Sequence, residues 1–143
     1  LKCGLTQQDV DGAKDGEVKN CCLILTKQDY EENAFEERED FQFVIAKNLK
    51  KVSSYLFYDS SLQFAFMPEV ESIANDAFSF CSLFTICFLK TKSIGNYAFC
   101  NCTKLTQVFI PLCEYLGEGC FFGCNIVKIL NLPLVKSIGE YLF

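Results

Sequence analysis

Ten cysteines and no histidine among 143 residues make the thiols the side chains most able to do chemistry in this chain. Cys100 and Cys102 close the stretch SIGNYAFCNC (93–102), and Cys120 and Cys124 follow with three residues between them. Drawn together, those four thiolates would make a tetrahedral zinc site. The lack of histidine excludes the common Ser-His and Cys-His nucleophile–base pairs. There is also no P-loop and no dinucleotide fingerprint. Carboxylates crowd into EEREDF (36–41), but such a run reads as a solvated loop rather than an acid–base pair. DVDGAKDGE (9–17) has the look of a calcium loop, yet counted from Asp9 it lacks the sixth-position glycine and the twelfth-position glutamate. A polar loop is expected there. No enzymatic activity, metal or cofactor is expected of the chain.

What must position the thiols is a repeat. YEENAF (30–35), VSSYLF (52–57), IANDAF (73–78), IGNYAF (94–99), LGEGCF (116–121) and IGEYLF (138–143) are one hexapeptide. Its phenylalanines, Phe35, Phe57, Phe78, Phe99, Phe121 and Phe143, are spaced 22, 21, 21, 22 and 22 apart. Three residues after the Phe stands Cys81, Cys102 or Cys124, with Arg38 and Ser60 in the earlier units. Cys120 falls on the repeated alanine position, so only Cys100 lacks an interior reason. The competing reading of the thiols is therefore a repeated, small, buried side chain. Parallel stacked positions rarely meet disulfide torsions, and mostly free thiols are expected.

A strand-like L-x-x-V-x-I pattern follows in each unit. Its inward residues are Phe41, Val44 and Ala46, then Leu62, Ala65 and Met67, then Leu83, Ile86 and Phe88. Leu105, Val108 and Ile110 continue the series, and Val127, Leu130 and Leu132 close it. Gly95, Gly117, Gly123 and Gly139 suit tight turns on the outer side. A period near 22 with one short strand per unit predicts a solenoid of stacked coils, in which each Phe and Leu lies over its counterpart.

Half the residues are hydrophobic, 22% are charged and the net charge is −5. That composition supports a real core and argues against a nucleic-acid surface, which needs a basic stripe. No apolar run approaches the length of a membrane span. The chain starts at Leu1 with a polar stretch and stops at Phe143 inside the repeat, so it reads as a piece of a longer protein. A cut coil at that end is expected to promote association.

The unit I-G-x-x-A-F-x-x-C-x-x-L-x-x-V-x-I-P resembles the BspA-type, or treponemal-type, leucine-rich repeat. IGNYAFCNCTKLTQVFIP (94–111) matches nearly position for position, and LGEGCFFGCNIVKILNLP (116–133) nearly as well. The resemblance implies an α/β leucine-rich-repeat solenoid, or horseshoe, with short parallel strands on one face and turns or short helical turns on the other. About five stacked coils of 21–22 residues would fill 30–143, the last one truncated, behind a degenerate capping coil or polar segment at 1–29. It further implies surface-exposed proteins that adhere to host, matrix or other cells. A cytoplasmic scaffold without an external ligand is the alternative.

If V-x-I points inward, the residues before and between face outward. These are Phe43 and Ile45, Phe64 and Phe66, Thr85 and Cys87, Gln107 and Phe109, Ile129 and Asn131. Stacked, they form an apolar stripe that would bind a protein ligand, with self-association as the second partner reading. Two other readings stay open: cover by another part of the chain, and a one-residue phase error, which would exchange inside and outside.

Overall fold

The computed structural model describes residues 3–125, the backbone of 128–130, and 134–143. Each coil contributes two short strands, so two parallel ladders run the length of the molecule. The longer strands are β2 (Cys22–Leu25), β3 (Phe43–Ala46), β5 (Phe64–Phe66), β7 (Thr85–Cys87), β9 (Gln107–Phe109) and β11 (Lys128–Leu130). They pair in parallel as β2-β3-β5 and β7-β9-β11. The two runs are joined where Phe84 N–H donates to Gln63 O at 3.3 Å. At the other end β1 (Glu17–Lys19) pairs antiparallel with β2.

Two-residue strands form the second ladder: β4 (Lys51–Val52), β6 (Ser72–Ile73), β8 (Ser93–Ile94), β10 (Tyr115–Leu116) and β12 (Ser137–Ile138). The return side thus holds turns and a second ladder where short helical turns were an option. Among the described residues the one helix is α1 (Gln7–Asp11), in the N-terminal segment.

The reason lies on either side of each repeated Phe. Two residues before it, Asn33, Tyr55, Asp76, Tyr97, Gly119 and Tyr141 have φ between 52° and 62°. Two residues after it, Glu37, Asp59, Phe80, Asn101 and Gly123 have φ between 50° and 72°. A left-handed residue every four positions forbids a right-handed helix. Bonds to the next coil hold the turns in place: Tyr97, Phe99 and Asn101 donate to the carbonyls of Glu118, Cys120 and Phe122 at 2.7–2.9 Å.

The core is the stack of repeated phenylalanines. Consecutive ring centroids from Phe35 to Phe121 lie 5.6, 5.3, 5.1 and 5.5 Å apart, within 15° of parallel. Each buried ring contributes roughly 1.5–3 kcal/mol. The inward strand positions close around them: Phe41, Val44, Ala46, Leu62, Met67, Leu83, Ile86, Phe88, Leu105, Val108 and Ile110 are all buried, and Ala65 is half-buried. From 41 to 110 the strand phase therefore holds.

The glycines of the second ladder act differently from expectation. Gly95, Gly117 and Gly139 are outside the left-handed region; a Cβ on Gly117 would sit 2.5 Å from Gly95 C and Asn96 N. They permit close stacking of coils rather than a tight turn. Gly123, at φ 72°, does serve a turn.

Candidate protein-binding face

The outward positions of the strand ladder form one surface. Phe43, Ile45, Phe64 and Phe109 are half-buried, Thr85, Cys87 and Gln107 are exposed, and Phe66 is 57% exposed. Their exposure follows from strand alternation around the buried Val44, Ile86 and Val108. Parallel register places Phe64 beside Phe43, with centroids 5.5 Å apart and rings 16° from parallel.

Phe84 extends this row although it precedes its strand: its ring stacks on Phe64 at 5.5 Å, and the Lys104 amine lies 5.7 Å from its centroid. Sequence reasoning missed Phe84 because its alignment position carries Gln42, Gln63 and Thr106 in the other coils. A hollow of about 390 Å³ lies between Phe43, Ile45, Phe64 and Phe66, with Cys3 on its border.

The last rung departs from expectation. Ile129 pairs in register with Val108, an inward position, rather than with the outward Phe109, which is matched by Leu130. The spacing explains it: six residues lie between Phe121 and Lys128, against seven between Phe99 and Gln107, so the strand enters one residue early. Asn131 lies outside the described residues, as do Val127 and Leu132.

The thiols divide between interior and surface. Cys81, Cys102 and Cys124 form a ladder, each Sγ donating to the carbonyl of the Phe one coil back: Phe57 at 2.9 Å, Phe78 at 3.0 Å and Phe99 at 3.0 Å. The repeated cysteine is thus more than a small apolar filler, since it gives a second hydrogen bond to a carbonyl that already accepts a backbone N–H. Ser60 fills the same place one coil earlier, 3.5 Å from Cys81 Sγ. Arg38 instead lies over the rings of Phe35 and Phe41 and pairs with Asp40 at 2.6 Å.

Burial raises the Cys100, Cys102 and Cys120 thiols, which opposes the thiolate form that zinc requires, whereas the hydrogen bond with Cys102 lowers Cys124. Cys100 is half-buried and accepts from Asn101 Nδ2 at 3.3 Å. Among the described residues no three Cys, Asp or Glu side chains converge to hold a metal ion. The carboxylates of 9–17 have protein partners: Asp9 caps α1 through Thr6, Asp11 pairs with Lys47, Asp15 binds Thr26, Tyr30 and Lys27, and Glu17 accepts from Lys14 N. Among the described residues no helix is long and apolar enough to cross a membrane.

A family model, the BspA type leucine rich repeat region, matches residues 28–143 in six copies. No curated protein and no solved structure matches the chain. Repeats of this family point to a protein-interaction module.

Proposed function

This chain belongs to the BspA type leucine rich repeat family, and on that premise we propose that it is a non-catalytic adhesive module that grips a host, matrix or cell-surface protein through its strand face. The observation that carries this reading is the outer row of aromatic rings, Phe43, Phe64 and Phe84, with Phe66 beside it. Rigid aromatic rings on a flat ladder are the groups that anchor protein interfaces. Gln107 and Phe109 continue the face.

Beads coated with the protein should be retained on films of matrix protein or on cells. The Phe64→Ser, Phe66→Ser double variant should keep its melting transition and lose at least about tenfold in retention. Equal retention by the variant, or none by the unaltered protein, would sink the adhesive reading.

The thiol ladder favours a second reading, an intracellular scaffold segment with no external ligand. Cys81, Cys102 and Cys124 all act as S–H donors, which a reducing compartment preserves. Thiol titration of protein taken from its native source separates the two: ten free thiols support the scaffold, and bridged cysteines support the exposed adhesin.

A further inference from the structure

The outer face does not begin at Phe43. One rung earlier, Cys22 and Ile24 pair in register with Phe43 and Ile45, so strand alternation puts them on the same side. Yet Cys22 is 0% and Ile24 1% exposed, while Phe43 and Ile45 are half-buried. The main core does not account for this. Leu23 and Leu25 pack within it, whereas Cys22 and Ile24 stand outside it. Their cover comes from the N-terminal segment. Val10 borders a hollow with Ile24 and Ile45, and the Asp11 carboxylate reaches Lys47 Nζ at 2.9 Å. Cys3 borders the adjoining hollow with Phe43, Phe64 and Phe66.

We propose that residues 3–12 are an internal occupant of the partner-binding face. The partner presents the same chemistry in their place: an aliphatic side chain for the Ile24–Ile45 hollow and an adjacent carboxylate for Lys47. The proposal rests on the strand-face reading above and names the segment class that face accepts. The geometry makes the occupant displaceable. The helix is five residues long and has no buried residue of its own, so it is marginal by itself. The Asp11–Lys47 pair is exposed, and such pairs contribute little. Further along the face a cation again stands beside apolar rings, with the Lys104 amine over Phe84, whose ring stacks on Phe64. A longer partner segment therefore finds the same pattern of contacts past the place where the internal one stops.

Cys22 reports on the cover. Its thiol is pushed up to about 12 by burial and by Cys3 beside it, so it alkylates slowly while covered; the exposed Cys21 and Cys87 serve as internal references. In the full chain, the Val10→Ser, Asp11→Asn double variant should raise iodoacetamide labelling of Cys22, mapped by mass spectrometry, about tenfold over Cys87. The capped peptide Ser-Gly-Leu-Thr-Gln-Gln-Asp-Val-Asp-Gly, the sequence of residues 3–12 with Ser for Cys3, added to that variant at millimolar concentration, should restore most of the protection. A control peptide with Ser for Val and Asn for both Asp should not. Unchanged labelling in the variant overturns the proposal, because the segment is then not the cover. Equal protection by the two peptides also overturns it, because the face then does not select an aliphatic–carboxylate pair. The strand-face reading fails by a different result, undiminished bead retention by the Phe64→Ser, Phe66→Ser variant.

Discussion

Two stacks of phenylalanine run side by side through this solenoid, one under the strand ladder and one on top of it. The inner stack, Phe35 to Phe121, has centroids 5.1–5.6 Å apart. The outer row, Phe43, Phe64 and Phe84, has centroids 5.5 Å apart. Ring spacing is therefore nearly the same in dry core and at the solvent boundary. It is dictated by the rise of one coil on the next, which neither water nor packing alters. What separates the stacks is the second side of each ring. Phe78 meets Phe88 at 6.1 Å and Phe57 meets Phe41 at 6.3 Å, whereas the outer rings have solvent above them. Stacking alone is no mark of a core, and the outer row keeps its pre-ordered geometry for another use.

Truncating one ring from each stack makes the sharpest test. Phe99→Ala should cost about 3–5 kcal/mol through loss of buried area and the cavity left behind, read from a urea unfolding curve. Phe84→Ala, in the outer row and exposed, should cost no more than about 1 kcal/mol. Similar losses from both would show that the outer row is core in disguise. Next in size is Gly117→Ala, which forces a Cβ to within 2.5 Å of the preceding coil's backbone. It should cost about 1–3 kcal/mol and lower the melting temperature, because the coil spacing shared by both stacks must open.

The most local effect concerns the N-terminal segment that covers one end of the outer row. Burial alone would raise the Asp15 carboxyl; hydrogen bonds from Thr26, Tyr30 and Lys27 outweigh it and hold the group at about 2. An unfolded Asp titrates near ~3.9. The contribution is thus fully present above about pH 4 and disappears as the pH falls through about 2. Hydrogen exchange at residues 13–30 should quicken across that window while the amides around Phe78 and Phe99 stay protected. Simultaneous loss of both would mean that the segment and the coils form one cooperative unit.

The sequence made the inner stack plain because a buried rung tolerates few residue types, so its phase survives in every copy. The strand phase from Phe41 to Ile110 was legible for the same reason. Other features left weak traces. The left-handed sites carry Asn, Tyr, Asp and Gly interchangeably, since bonds to the next coil rather than residue preference hold them there. The register of β11 turned on one residue more or less in the turn before it, which hydrophobic pattern cannot decide. The cover over Cys22 and Ile24 comes from a polar segment outside the repeat, and no periodicity points to it. The thiol ladder was half legible: its phase was clear, its hydrogen bonds were not.

The bonds between coils have a mechanical consequence. The Sγ–H bonds of Cys81, Cys102 and Cys124, and the amide bonds of Tyr97, Phe99 and Asn101, all span neighbouring turns of the solenoid. A pull along the long axis therefore loads the interfaces in series, and one yields before the next is strained. Each detached coil of 21–22 residues releases roughly 70 Å of chain from a rise of about 4.8 Å. Tension along the strands would instead shear many bonds at once. The molecule should behave as a soft, stepwise-extensible tether along one direction and a stiff plate along the other.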